Sequence, residues 1–214
     1  SACEKGGQWQ WAVHLLRDMR QHGLMPNSVT YNAAILACAR CGEYELVSQL
    51  VAEMREEGLQ LDWMTYSAAI GSAETADGEP LDRRDMEHAA MWYREAVEQG
   101  AFDPWKRKDK TNVMDLHDMN LAVARAAIFD TLERLQGESG EAAAGALLRR
   151  GLRVVTGRGL HSKGEAVLGP AVLEMLRADY GLHVQRDDLF GSIKVPASEL
   201  QRLTAQSRKM SVKG

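Results

Sequence analysis

Two side chains of this 214-residue sequence have a spacing suited to acid–base chemistry, Asp115 and His117. They lie in residues 111–117, whose composition predicts a β-strand. Because residues two apart point to the same face of a strand, the carboxylate and the imidazole emerge together. A carboxylate beside a histidine orients the ring, as general acid–base catalysis or metal binding requires. The alternative is a structural role, in which the pair only holds a neighbouring loop in place.

A glycine-rich segment, residues 156–162, is the second candidate site. It follows a predicted strand and precedes a helical stretch, a position at which glycines let the backbone approach a phosphate. Ser162 and Glu165 also match a helix-capping box, which is the structural alternative. The segment lacks the third glycine of a dinucleotide fingerprint and the Gly-Lys-Ser/Thr ending of a Walker loop. The residues predicted to hold a phosphate are Thr156, Gly157, Arg158, Gly159, His161, Ser162 and Lys163.

Strands and helices alternate in the half of the chain that carries both sites. Such alternation predicts a small α/β sandwich with a largely parallel or mixed sheet. The predicted strands are residues 111–117, 152–156, 182–186 and 191–195, and the predicted long helices are residues 120–136 and 170–179.

The first half of the chain repeats itself with a period of 35 residues. Gly23 recurs as Gly58, and residues 29–35 recur as residues 64–70. Apolar residues follow helical spacing between the glycines, so each unit is predicted to be a helical hairpin. One hairpin cannot bury both of its apolar faces, and the units must therefore stack into an α-solenoid. The third unit carries an insertion at residues 74–85, and its second helix resumes near Met86.

These patterns divide the chain into helical repeats at 1–103, a basic linker at 104–111, an α/β domain at 112–200 and a flexible basic tail at 201–214. Residues 1–103 carry eight Lys and Arg against 17 Asp and Glu, whereas residues 104–214 carry 18 against 13. The second half is therefore the better phosphate partner on charge alone. No apolar run is long enough to span a membrane. The chain begins within a repeat and is interpreted as an internal or C-terminal fragment.

The period, the Val-Thr-Tyr-Asn opening at Val29 and the Glu-Met-Arg-Glu-Glu-Gly-Leu close at Glu53 resemble pentatricopeptide repeats over about residues 1–103. The resemblance implies that the chain recognises single-stranded RNA, roughly one base per repeat. In the middle repeat the base-recognising pair would be Asn32 and Asp62, which resembles the family's pyrimidine-recognising pair and favours uracil. In the first repeat the counterpart of Asp62 is Asn27, and in the third repeat the counterpart of Asn32 is Ser67. The alternative is that Asn27 and Asp62 only cap helices.

The two motifs of the second half together resemble the small MutS-related (Smr) domain over about residues 112–200. Asp115-Leu116-His117 matches its Leu-Asp-x-His motif, with Met114 in place of the leucine, and residues 156–162 match its Thr-Gly-x-Gly-x-x-Ser loop. The resemblance implies binding of RNA or DNA, with nicking by some members. Fusions of the two domain types imply RNA processing and gene expression in a chloroplast or mitochondrion.

Three functions stay open from the sequence. In an endonuclease, His117 would act as general base or acid, Asp115 would orient it, and the glycine-rich segment would hold the scissile phosphate. In a non-catalytic module, the same segment would only bind phosphate, and the third alternative is a protein-interaction scaffold. The expected partner is single-stranded RNA, with DNA and other proteins as alternatives. No metal-ligand set is predicted, and Mg²⁺ is the cofactor expected if the domain cuts RNA.

Overall fold

A computed structural model describes residues 8–73, 82–105, 111–137, 142–157, 167–187 and 190–211. The chain divides into two compact units, Ser1–Phe102 and Asp103–Gly214. Helices form the first unit, and helices with a small sheet form the second. The expected combination of a helical solenoid and a small α/β region is therefore present. None of the helices in the described ranges is long and apolar enough to cross a membrane.

The N-terminal unit is a series of stacked helices. Helix α2 packs against α1, α3 and α4, and α4 packs against α5, so that each hairpin lies against the next. This stacking is what the 35-residue period predicts. The helices are α1 (Gln8–Gln21), α2 (Ser28–Ala39), α3 (Tyr44–Glu56), α4 (Trp63–Gly71) and α5 (Arg83–Glu98).

Glycines end the helices at the spacing of the repeat. Gly23 and Gly58 have φ angles of 73° and 71°, a region that other residues rarely adopt. The N–H of Gly58 donates to the Arg55 carbonyl at 2.9 Å, and the next N–H donates to the Met54 carbonyl at 3.0 Å. These bonds satisfy carbonyls that the end of α3 would otherwise leave unpaired. The helix ends predicted from the glycines are therefore confirmed.

Helix α5 begins at Arg83, ahead of the start expected near Met86. The Asp82 carboxylate accepts from the Asp85 N–H at 2.8 Å, and the Asp85 carboxylate accepts from the Asp82 N–H at 3.3 Å. This reciprocal capping box pairs two N–H groups at the helix start, so the helix includes residues that the sequence assigned to the insertion. Residues 74–81 of that insertion lie outside the described residues.

A recurring arginine, tyrosine and glutamate link successive helices. The Arg20 guanidinium contacts the Tyr31 hydroxyl and donates to Glu57 at 2.5 Å. One period later the Arg55 guanidinium contacts Glu95, and the Tyr66 hydroxyl donates to Glu95 at 2.9 Å. Burial, followed by hydrogen bonding to these glutamates, raises the pKa of both tyrosines to about 12. The arginines that recur with the repeat are therefore paired with glutamates of neighbouring helices at the surface of the unit.

The second unit is a mixed four-stranded sheet with helices. The strand order is β1-β2-β4-β3, with β1 and β2 parallel and the other neighbours antiparallel. Met114, Val154 and Ile193 lie in register across the first three strands and are buried. The elements are β1 (Val113–Asp115), α6 (Leu121–Gln136), α7 (Ala142–Arg150), β2 (Leu152–Val155), α8 (Leu168–Ala178), β3 (Gln185–Asp187), β4 (Ser192–Val195) and α9 (Ala197–Ser211).

The prediction of a flexible basic tail at residues 201–214 is wrong for most of this segment. Helix α9 continues to Ser211 and packs against α6 and α7. Leu200 and Leu203 are buried, and the Ser207 hydroxyl donates to the Gln136 side chain at 2.8 Å. The tail was predicted from its scattered basic residues, whereas its buried leucines give the segment an apolar face that packs on the rest of the unit. The last element of the α/β unit therefore extends beyond the expected boundary at residue 200.

The start of the expected linker is part of the second unit. Pro104 is buried, and its carbonyl accepts from the Asp115 N–H of β1 at 2.7 Å. This bond extends the hydrogen bonding of the edge strand β1 beyond its pairing with β2. Residues 106–110, which hold most of the predicted basic charge, lie outside the described residues.

We expect the N-terminal unit to lose stability between pH 10 and 12. A phenol with a higher pKa in the folded state stabilises the fold below its unfolded pKa, and that contribution disappears as the pH approaches the folded value of about 12. The measurement is urea unfolding followed by tryptophan fluorescence, since four of the five tryptophans lie in this unit. The Y31F/Y66F variant should lose less stability over this interval. An equal loss would show that other groups cause it.

Replacing Gly151 with alanine should destabilise the second unit by about 2–4 kcal/mol. Gly151 has a φ of 78°, and a Cβ there would overlap the Val195 carbonyl oxygen and lie 3.0 Å from the Ala197 nitrogen. The matched control is Gly137→Ala, whose Cβ would have ordinary contacts, the nearest 3.6 Å from the Glu133 carbonyl oxygen. Amide hydrogen exchange in β2 reports on this unit alone. Equal protection in the two variants would contradict the close packing at Gly151.

Candidate nucleic-acid interface

Asn32 and Asp62, the predicted base-recognising pair, lie against each other across two helices. The Asn32 amide nitrogen on α2 donates to the two Asp62 carboxylate oxygens at 3.2 and 3.4 Å. Asn32 is buried, whereas Asp62 is exposed just before α4. The stacking of α2 on α4 therefore joins two residues that are 30 positions apart in the sequence.

Asp62 also caps a helix. Its carboxylate accepts from the Thr65 N–H at 2.9 Å, in the first turn of α4. The capping role proposed as an alternative is thus present together with the contact to Asn32. A carboxylate has two oxygens and about four acceptor positions, so the two roles are compatible.

Asn27 has the same position relative to α2 as Asp62 has to α4. Its side-chain oxygen accepts from the N–H groups of Val29 and Thr30, both at 3.1 Å. The Thr30 hydroxyl in turn accepts from the Asn27 N–H at 2.8 Å, which completes a capping box. Capping is therefore the role that the geometry gives Asn27. Ser67, the counterpart of Asn32 one period later, lies half-buried on α4.

Exposed apolar side chains recur near the predicted base-recognising pair. Val29 in the first turn of α2 is 75% exposed, and Met64, its counterpart in α4, is 41% exposed. The neighbouring Trp63 is 59% exposed. No role was predicted for Val29 or Met64 from the sequence, although the 35-residue period aligned them. Apolar groups beside polar base-recognising groups suit contact with the flat face of a base.

In the second unit, Asp115 and His117 are in direct contact. The His117 Nδ1 lies 2.5 Å from an Asp115 carboxylate oxygen, at the end of β1. The other ring nitrogen, Nε2, lies 3.0 Å from a carboxylate oxygen of Asp118. The side chain of His117 is 44% exposed, whereas that of Asp115 is 14% exposed. We call Asp115, His117 and Asp118 the histidine cluster.

The first residues of the glycine-rich segment lie beside this cluster. Gly157 has a φ of 75°, and a Cβ there would lie 3.3 Å from the His117 Cβ. Thr156 is buried, and its N–H donates to the carbonyl of Gly191, the residue before β4, at 2.9 Å, so it anchors the start of the segment beside that strand. The structure therefore brings the start of the second motif to the first. The remaining predicted phosphate-binding residues, Arg158, Gly159, His161, Ser162 and Lys163, lie outside the described residues.

The two carboxylates of the histidine cluster hold and orient the His117 imidazole. Asp115 contacts one ring nitrogen and Asp118 the other, so a proton on either nitrogen has a carboxylate to accept its hydrogen bond. Transfer of a proton to a substrate through Nε2 requires Asp118 to turn away. Asp118 directly follows the motif in the sequence, but its spacing gave no signal of this contact. Within the described ranges, no group of three or more His, Cys, Asp or Glu side chains is arranged to bind a metal ion.

Comparisons with known families bear on the N-terminal unit. Residues 14–73 match the family described as the pentatricopeptide repeat domain, and residues 1–24 match the PPR repeat. Both matched segments lie within the helical unit, and they agree with the 35-residue period. No curated protein matches the chain. The chain therefore carries pentatricopeptide repeats in its first third.

Proposed function

We propose that this protein binds single-stranded RNA and that Asn32 and Asp62 recognise a pyrimidine base, with uracil preferred. The repeats themselves indicate an RNA-binding protein. The single observation that carries the finer proposal is the contact between the Asn32 amide and the exposed Asp62 carboxylate across α2 and α4. After these contacts the amide retains one N–H donor and part of its oxygen's acceptor capacity for a base edge.

The charge distribution favours recognition of bases over attraction of phosphates in this unit. Residues 1–103 carry an excess of acidic side chains. Arg20 and Arg55 contact Glu53, Glu57 and Glu95. Non-specific RNA binding depends mainly on cations that face phosphates. A unit with this charge therefore depends on hydrogen bonds and base contacts, and the net positive second unit is the better source of phosphate contacts.

A second function, cleavage of the bound RNA, is favoured by the contact between Asp115 and His117. An imidazole oriented by a carboxylate can take a proton from an attacking hydroxyl and return one to the leaving oxygen. Gly157 beside His117 and the resemblance of residues 112–200 to the Smr domain support the same proposal. Proteins with pentatricopeptide repeats are commonly organellar, and we propose RNA processing in such a compartment.

RNA binding is tested by fluorescence anisotropy with labelled decauridylate and decacytidylate. Wild type should prefer uridylate, and Asn32→Ala should lose about tenfold in uridylate affinity, the value of one or two hydrogen bonds. Asp82→Ala is the matched control because Asp82 caps α5 and is not among the proposed base-recognising residues. Equal affinity of wild type for the two RNAs would contradict the proposal, as would an equal loss in the control.

Cleavage is tested with end-labelled single-stranded RNA in the presence of Mg²⁺. His117→Ala should bind RNA as wild type does but cut it at least about a hundredfold more slowly, because a general acid–base group contributes that much. The control is His183→Ala, which removes another exposed histidine that contacts a carboxylate, Glu199, in the same unit. If wild type does not cut, or if both variants cut like wild type, the catalytic proposal is wrong.

A further inference from the structure

Thr65 lies between the two members of the base-recognising pair. It belongs to the first turn of α4 and is 1% exposed. Its hydroxyl donates to the Asn32 side-chain oxygen at 2.6 Å and lies 3.0 Å from an Asp62 carboxylate oxygen. Its backbone N–H also donates to Asp62 at 2.9 Å. A residue of one repeat thus contacts the proposed recognition residue of the repeat before it.

These contacts determine the orientation of the Asn32 side-chain amide, that is, which neighbour its nitrogen and its oxygen each face. An ionised carboxylate only accepts hydrogen bonds, so the amide nitrogen of Asn32 must face Asp62. The amide oxygen then faces the Thr65 hydroxyl, which has a single hydrogen and donates it over the shorter distance of 2.6 Å. The reversed amide would place two acceptors together, the amide oxygen and the Asp62 carboxylate, so Asp62 selects the orientation of the amide. The Thr65 hydroxyl then donates to the amide oxygen and holds the amide in the orientation that Asp62 selects.

We propose that Thr65 is a positioning residue that fixes the Asn32 amide and so makes the pair prefer uracil to cytosine. The inference rests on the proposed recognition of a base by Asn32 and Asp62. In the fixed orientation, the donor N–H of the amide lies on the Asp62 side and the acceptor oxygen on the Thr65 side. The order of groups at the site is thus carboxylate acceptor, amide donor, amide acceptor.

This order suits the Watson–Crick edge of uracil better than that of cytosine. Uracil pairs a carbonyl oxygen with the amide donor and its N3–H with the amide oxygen. Cytosine can pair its N3 and amino group with the same amide, but its O2 carbonyl then falls on the side of the Asp62 carboxylate. Two acceptors that face each other leave a polar group unpaired and oppose binding. Loss of the Thr65 hydroxyl should therefore reduce the preference of the pair for uracil over cytosine.

The test uses the full chain, with affinities for decauridylate and decacytidylate measured in parallel. Thr65→Val replaces the hydroxyl by a methyl group of similar size, and the ratio of the two affinities should fall by about tenfold, as expected for loss of one hydrogen bond. Thr65→Ser keeps the hydroxyl and should restore the ratio. Thr30→Val is the matched control, because Thr30 occupies the same position in α2 while its hydroxyl contacts Asn27.

The outcomes distinguish a failure of the proposed function from a failure of the role of Thr65 alone. If wild type binds neither RNA, the proposed function and the role of Thr65 both fail. If wild type prefers uridylate and Thr65→Val keeps that preference, RNA binding stands and the role of Thr65 is wrong. The same conclusion follows if Thr65→Ser fails to restore the ratio or if Thr30→Val lowers it equally. Thermal unfolding of each variant separates a change in base preference from a loss of the fold.

Discussion

The carboxylate of Asp62 joins two consecutive repeats, and the proposed recognition of RNA depends on this one group. It caps α4 through the Thr65 N–H and accepts from Asn32 on α2. The recognition pair is therefore assembled only when α2 packs on α4, as it does in the stacked solenoid. A single hairpin cannot provide it, for the same reason that a single hairpin cannot bury its apolar faces. Folding and recognition thus require the same inter-repeat contact.

The two units differ in the kind of RNA contact that their charges allow. In the repeats, acidic side chains outnumber basic ones and Arg20 and Arg55 bind glutamates, so the proposed contact with bases would depend on polar and exposed apolar side chains. The second unit has a net positive charge and an exposed histidine held by carboxylates. In the proposed function, the first unit would recognise the RNA bases and the second unit would contact the phosphates.

Local signals in the sequence predicted the repeat architecture well, because a period repeats its own information. Gly58 marked a helix end. The resemblance to pentatricopeptide repeats singled out Asn32 and Asp62, and the structure places these two side chains in contact. Features set by tertiary packing were missed. Thr65 acts through a hydrogen bond to a residue 33 positions away, and no spacing rule points to it. Helix α9 extends beyond the expected domain boundary and has buried leucines on a helix that packs on α6 and α7. The number of basic residues in this segment gave no indication of that packing.

The central claim is that the base-recognising pair contacts RNA, and photocrosslinking tests it most directly. RNA containing 4-thiouridine would be irradiated with the full chain, and the crosslinked peptides would be identified by mass spectrometry. Crosslinks should map to the first turns of α2 and α4, where Val29 and Met64 are exposed beside Asn32 and Asp62. Crosslinks confined to Asp103–Gly214 would contradict the account, because they would show that the repeats do not contact the bases.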